Sequence, residues 1–569
     1  MAHDQEVSRR RILLIKLPCV AFPDAKAGGD RDFHRKSGYT TELPLGLAVL
    51  GAFIDKYNKL DLQLKAVDIN ILGYTAPGKG VDEALFKPLL LKTIEEGAYD
   101  VLALQCVFVF NHKWVQCAVE HSRRFHPKAK IVLGGGYPTL FPEKCLTDYD
   151  VDHVVIGEGE SAFLHILNGY NAFQDDAFSE KFPFDGYGLK QSDGKALIVP
   201  KKQFLPGAEI VSPAWHYFDI ETYFRNSGRR SITVEGCRGC PYLCTYCSTG
   251  SAWGRNIRYK QVGQLLEEIR SIVERYQPDE LLFPDDNIAF DGAWFKGLLN
   301  GLIALKLPVK LNFLHFSVKH LNETVLDLLK AAHVERICFA VETGSPEVQK
   351  SIRKNLDLDQ VRKVMTMIKA RKLYTQICWM IGFPHETLEQ VKQTLRLVKE
   401  LRAEHNMFSL VVPYPGTAMF ESANKDGLLS FADDSLDNYD RRKGGLVRSE
   451  QWTQAGLQNM AYEVNIDVNF LNNSYLDSEE GRAHFLFELE GLTARLPDHV
   501  IVKIVLGHLY GLKKDEPKRS ACYAAAANLL RREDLRDVFG KYFEWDHPLI
   551  KEFHAARPGL ERPSPEILK

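Results

Sequence analysis

The run Cys240-Pro-Tyr-Leu-Cys244-Thr-Tyr-Cys247 places three thiols in C-x3-C-x2-C spacing directly after the β-prone stretch Ser231-Ile-Thr-Val-Glu-Gly236. Three thiolates suit a 4Fe-4S cluster in which one iron keeps an open position. An open iron can take the amino and carboxylate groups of S-adenosylmethionine, and an electron passed through it can cleave the sulfonium. A structural zinc or cluster site uses four ligands and leaves no such position. Cys237 adds a nearby fourth thiol and extends the run to C-x2-C-x3-C-x2-C, a composition shared with zinc knuckles. A knuckle gathers its ligands from two separated pairs, whereas these thiols follow one strand and a large α/β pattern continues beyond them. The expectation is a cluster on Cys240, Cys244 and Cys247, with Cys237 outside it.

The elements that must hold such a loop belong to a long chain. At 569 residues it exceeds one ordinary core, so roughly two to four domains are expected. A formal net charge of -2 gives no reason to propose nucleic acid or an anionic membrane surface as partner. The segment Met1 to Arg11 lacks the apolar core and small-residue cleavage site of a leader, and no later stretch stays apolar for the ~20 residues of a membrane helix. A cytoplasmic protein without a membrane partner is expected. Cys19, Cys106, Cys117, Cys145, Cys338, Cys378 and Cys522 are scattered singly, mostly through apolar runs, as inert core residues are. An odd total of eleven cysteines fits a reducing compartment.

Residues 1–170 alternate apolar strands (11–17, 62–68, 101–106, 130–134 and 153–157) with amphipathic helical segments near 46–57, 83–96 and 113–125. That alternation implies a doubly wound parallel sheet, which binds ligands at the carboxyl ends of its strands. The loops there are glycine-rich: Gly134, Gly135 and Gly136 follow the fourth strand, and Gly157-Glu158-Gly-Glu160 follows the fifth. With Leu17-Pro18, Leu43-Pro-Leu-Gly-Leu-Ala48 and Gly134-Gly-Gly-Tyr-Pro-Thr139, this order resembles the N-terminal cobalamin-binding (Rossmann-like) domain of one class of radical S-adenosylmethionine enzymes. Cobalamin domains that ligate cobalt through histidine carry Asp-x-His-x-x-Gly. Here Asp32-Phe-His34-Arg-Lys-Ser-Gly38 has its glycine one place late, so His34 is read as a loop residue. Bound cobalamin is then expected base-off without a histidine ligand, its lower face left to water or to a side chain from 107–111. The resemblance implies cofactor contacts at Gly134, Gly135, Gly136, Gly157 and Glu158.

Residues 171–230 read as an ordered connector packing across both neighbours, with Pro206, Pro213, Trp215 and Phe218 as its anchors. From 231 to 428 six βα units follow, with strands at 231–236, 280–283, 309–313, 336–341, 376–381 and 408–412, which suggest a partial (β/α)6 barrel. Barrels of this kind work at the C-terminal ends of their strands. Five ends carry distinctive residues: the cysteine triad, Asp285-Asp286-Asn287, Glu342-Thr-Gly-Ser345, Gly382-Phe-Pro-His-Glu-Thr387 and Pro413-Tyr414-Pro-Gly-Thr417. Their order and spacing resemble the cobalamin-dependent radical S-adenosylmethionine family over residues 10 to about 430. The resemblance implies that Tyr246 flanks adenine and that Asp285, Asp286, Glu342 and Ser345 line the cofactor sites; from the residues themselves, Tyr414 is a candidate to face substrate, and Arg255 and Arg258 are candidates to bind a carboxylate or phosphate of a ligand. Asp285 and Asp286 also suit helix caps, Arg255 and Arg258 surface pairs, and Tyr414 simple packing.

Residues 429–569 turn to helical periods at 452–470, 481–496 and 520–530, expected to form a helical domain over the mouth of the barrel, with the mixed-charge run 513–519 as a solvated turn. The whole is an α/β chain with cofactors 4Fe-4S cluster, S-adenosylmethionine and cobalamin. The resemblance implies a C-methyltransferase that acts on an unactivated carbon of a small molecule through methylcobalamin and a 5′-deoxyadenosyl radical, fed by an external flavodoxin- or ferredoxin-type electron donor. The same modules also serve cyclisation, ring contraction or rearrangement without methyl transfer, or methylation by a polar route. A non-catalytic cobalamin sensor is the reading from another class.

Overall fold

A computed structural model describes residues 9–20, 42–73, 83–169, 182, 184–431, 436–439, 447–544 and 546–557. The N-terminal sheet runs β2-β1-β3-β4-β5-β6-β7. Strands β1 (Arg10–Lys16), β2 (Leu62–Asp68), β3 (Val101–Gln105), β4 (Lys130–Gly134) and β5 (His153–Val155) are parallel, and β6 (Tyr187–Lys190) and β7 (Ala196–Val199) add an antiparallel hairpin. Alternate residues of β1 reach opposite cores. Leu13 and Ile15 pack with Phe86 and Trp114, while Ile12 and Leu14 pack with Leu47, Ile54 and Phe163. Burial on both faces is why these strands read as continuous apolar runs. The hairpin, part of the expected connector, is short and half exposed, and it leaves no such run. Strand order reverses between β1 and β3, which opens a ligand crevice at their carboxyl ends.

The second block has β8 (Ser231–Thr233), β9 (Cys237–Arg238), β10 (Arg258–Tyr259), β11 (Glu280–Phe283), β12 (Lys310–Phe313), β13 (Arg336–Glu342), β14 (Tyr374–Ile381) and β15 (His405–Leu410). Parallel sheets β8-β11-β12 and β13-β14-β15 are joined by single bridges, Leu311 with Val334 and Phe316 with Phe339, giving an open six-stranded arc. The first strand stops at Thr233, short of the expected Gly236. An Asp285 carboxylate oxygen accepts the N–H groups of Gly236 (2.8 Å) and Cys237 (2.5 Å), diverting those donors from the ladder. The chain then turns so that β9 pairs antiparallel with β10, and the cysteine loop is the long excursion between them.

The C-terminal region is helical, as expected, around an apolar core that includes the nearly all-apolar helix Val500–Leu512. It docks along β15, whose outer edge would otherwise present unpaired backbone. The Asn469 side chain accepts from the Asn406 N–H (2.8 Å) and donates to the Asn406 carbonyl (2.8 Å), so one amide replaces a strand neighbour. Trp452 and Leu457 also cover Gly382, in the turn after β14. Among the described residues no helix is long and apolar enough to cross a membrane.

Candidate functional site

The cysteine loop is pinned at several points. Cys240 N–H donates to Gly254 O (3.3 Å), Thr245 N–H to Ile352 O (3.0 Å), and Met419 N–H to Thr245 O (2.9 Å). Gly239 lies at φ +94°, where a Cβ would clash with Asn256 O, so the loop enters through a position only glycine fills without strain. Cys240, Cys244 and Cys247 are half-buried and influence one another electrostatically. Burial pushes the Cys240 thiol up to about 11 and raises Cys244 as well. Cys237 differs in kind. It is 2% exposed, and burial followed by the Asp285, Glu235 and Asp286 charges holds its thiol far above the usual range. Among the described residues no three His, Cys, Asp or Glu side chains converge as ligands of a single metal ion.

Beside the loop stands a polar wall. Glu342 ends β13 at a bulge with φ +71°, a left-handed conformation that costs a non-glycine residue energy and recurs at functional sites. Its Oε1 accepts from the Tyr246 hydroxyl (2.9 Å) and from Lys354 Nζ (3.2 Å), and Oε2 has no hydrogen-bond partner among the described residues. Burial and then the Glu342 charge drive the Tyr246 phenol well above its ordinary range, so it stays a donor. His315, at the end of β12, is influenced by both Lys354 and Glu342, and desolvation followed by Lys354 lowers its pKa. The sequence reading missed Lys354 and His315. Neither belongs to a strand-end motif, and folding alone brings them to Glu342.

Asp285 and Asp286 are not helix caps; Asp291 caps the helix Gly292–Leu305. Asp285 anchors the loop entry, and burial followed by the Glu235 charge lifts its carboxyl to about 7. Oδ1 takes both N–H groups and so positions the loop, while Oδ2 is buried without a partner among the described residues. Asp286 accepts from the Thr249 hydroxyl (3.3 Å), and desolvation raises it to about 6. Asn287 beside it is buried with both amide atoms unpartnered. The Ser345 hydroxyl caps the helix Pro346–Ser351 and donates to Glu347 (2.8 Å), which accounts for its sequence signal without a cofactor. Glu386 holds the Gly382-Phe383 turn by accepting both N–H groups (2.6 and 3.0 Å), and burial lifts it to about 7.

At the other crevice, Gly135 (φ +107°) and Gly136 let the β4 loop press onto the carbonyls of Cys106 and Val107, where any Cβ would clash. Their absent side chains serve a backbone approach, while Val107 and Phe108 stand partly exposed at the crevice, Phe108 stacked on Phe110. Glu158 is not free for a cofactor: both its oxygens are taken by Arg238, Arg258 and the Leu205 N–H. Gly157 (φ +69°) is pressed on the Ser251 and Ala252 carbonyls. Arg258 is thus committed to Glu158, and Arg255 donates to the Tyr242 carbonyl (2.5 Å), bracing the cysteine loop. Tyr414 stacks on Tyr439 and donates to its carbonyl, the packing alternative. His34 lies outside the described residues.

The donor set fits the implied groups. Three half-exposed thiols share one loop, and Tyr246, Glu342 Oε2 and Asp286 offer a ring and polar atoms beside them. An apolar-edged crevice ends the N-terminal sheet. Comparison with known proteins agrees. Residues 234–398 match the Radical SAM superfamily, and residues 39–167 match the B12 binding domain. Over 471 residues, 75% of this chain and 86% of the relative, the sequence is 25% identical to cytidylyl-2-hydroxyethylphosphonate methyltransferase of Streptomyces wedmorensis. The fold matches TsrM of Kitasatospora setae, a radical S-adenosylmethionine methyltransferase with cobalamin and a 4Fe-4S cluster bound (TM-score 0.58, 18% identity, 76% of this chain and 85% of that one). It also matches OxsB, a cobalamin-dependent S-adenosylmethionine radical enzyme (TM-score 0.60, 14% identity, 97% and 85%).

Proposed function

The chain belongs to the cobalamin-dependent radical S-adenosylmethionine enzymes, and from that premise we propose that it methylates an unactivated carbon of a small-molecule substrate. When bound, the cluster supplies the electron that cleaves S-adenosylmethionine to a 5′-deoxyadenosyl radical, and the corrin supplies a methyl carrier. The protein's part is positional. Cys240, Cys244 and Cys247 would hold the cluster, and Asp285 fixes the backbone where their loop begins. Tyr246 offers a flat wall for adenine, and Glu342 Oε2 is placed to take an N–H or O–H of the nucleoside or amino acid end, steadied by Lys354. Asp286 stands by the cysteine loop through Thr249, and His315 lies within the field of Glu342 and Lys354.

The observation that carries this reading is one chain with the cysteine loop, the Tyr246–Glu342–Lys354 wall and a corrin-type crevice together, which a sensor would not need. The electron donor is proposed to be a flavodoxin- or ferredoxin-type protein. The test is anaerobic reconstitution with iron, sulfide and cobalamin, followed by S-adenosylmethionine carrying a deuterated methyl group, a strong reductant and a panel of small-molecule candidates. Formation of 5′-deoxyadenosine and S-adenosylhomocysteine, with the labelled methyl on a candidate, supports the proposal. 5′-Deoxyadenosine with an altered but unmethylated candidate would replace it with a rearrangement or cyclisation.

A further inference from the structure

The glycine-acid loop after β5 and the entry to the cysteine loop meet in a buried ion cluster. Arg238, two residues before Cys240, donates through Nε to Glu235 (2.9 Å) and through Nη1 to Glu160 (2.7 Å) and Glu158. Arg258, its partner across the β9–β10 pair, donates to both oxygens of Glu158 (3.1 and 2.9 Å) and to the Leu205 carbonyl (2.7 Å). Arg238, Glu158, Glu160 and Glu235 are each less than one-tenth exposed. Glu158 and Glu160 come from the corrin-type sheet, and both arginines and Glu235 from the barrel. The contact continues into the crevice: Gly157 N–H donates to the Thr139 hydroxyl (2.9 Å), which donates to Gly135 O (2.8 Å). A chain of bonds therefore runs from the crevice loop to the residue that leads into the first cluster cysteine.

We propose that Arg238 is a positioning residue that, through Glu158 and Glu160, registers the corrin-binding loops against the cluster loop and so fixes the separation of the two cofactors. Buried charge is costly unless paired with good geometry, and its best-attested use is to select one arrangement among several. Apolar contact alone would tolerate sliding between the domains, whereas a guanidinium shared among three carboxylates permits one register. Three carboxylates face two guanidinium groups, and burial, opposed by Arg238 and reinforced by the Glu158 charge, raises the Glu160 carboxyl. The proposal needs only that both cofactors bind and does not depend on methyl transfer.

The full-length holoenzyme decides it, with Arg238→Met and Glu158→Gln as disrupting variants and Arg532→Met, at an exposed arginine paired with Asp498 and Asp534 in the C-terminal helices, as the control. Iron and cobalamin content establish loading. Register is read from amide exchange over residues 240–254 and from the enhancement of cob(II)alamin spin relaxation by the reduced cluster. In Arg238→Met and Glu158→Gln, exchange should rise at least about tenfold and the relaxation enhancement should fall, with Arg532→Met close to the parent. Unchanged exchange and relaxation in loaded Arg238→Met would overturn the proposal. Should that variant fail to fold, Glu158→Gln carries the test, and parental relaxation in it overturns the proposal equally.

Discussion

Replacing Cys237 separates a three-thiol site from a four-thiol one. The residue is 2% exposed, lies beside Asp285 and sits in the same core as Val234, Leu265 and Ile288. Ligation requires the thiolate, and here that anion would form in an apolar pocket facing three carboxyl groups, which is why its thiol is held so far up. Cys237→Ala removes one buried atom, so the cost is a small cavity of about 1 kcal/mol, and the backbone N–H bond to Asp285 is kept. After anaerobic reconstitution, Cys237→Ala should still hold about four iron and four sulfide per chain, whereas Cys244→Ala should hold almost none. In the apo protein, alkylation mapped by mass spectrometry should modify Cys240, Cys244 and Cys247 at least about tenfold faster than Cys237. Loss of the cluster in Cys237→Ala, or equal labelling of all four, would refute the reasoning and reinstate a four-ligand site.

Three further outcomes follow from the same geometry. Glu386 is protonated in the folded protein up to about pH 7, so the stability its raised pKa confers is complete below the unfolded value near 4.5 and is lost as pH rises through 7, about 3 kcal/mol in all. Glu386→Gln keeps an acceptor for the Gly382 and Phe383 N–H groups, and apo-protein melting between pH 5 and pH 8 should flatten; curves parallel to the parent would count against it. Glu342→Gly gives up the bonds to Tyr246 and Lys354 but relieves about 1 kcal/mol of left-handed strain, so stability should move little while S-adenosylmethionine binding, followed by equilibrium dialysis, weakens at least about tenfold. Asn469→Ala strips β15 of both edge bonds and should cost about 2 kcal/mol, detected as faster amide exchange at Asn406 and in the helix Gln454–Ile466.

Which of these features the sequence discloses depends on how local their cause is. β1, β3 and β4 lie between two cores, so their Val, Leu and Ile runs declare them, and the three thiols are legible because one short loop must supply every cluster ligand from the chain. β9 and β10 are two residues each and exist because Asp285, almost fifty residues away, captures the Gly236 and Cys237 donors. Glu158 shows the limit best. Its Gly-Glu-Gly setting suggests a ligand loop, and Gly157 does bond the Thr139 hydroxyl beyond β4, yet the carboxylate turns away to an arginine eighty residues later in the other domain. A motif marks where a backbone must go; what its side chain then bonds is settled by elements that no local spacing encodes. Lys354 and His315 make the converse case. Neither stands in a recognisable pattern: Lys354, in the turn after the helix Pro346–Ser351, bonds the Glu342 carboxylate, and His315, just past β12, feels its charge. In this arc, the residues that tune a site are more numerous than the residues that announce it.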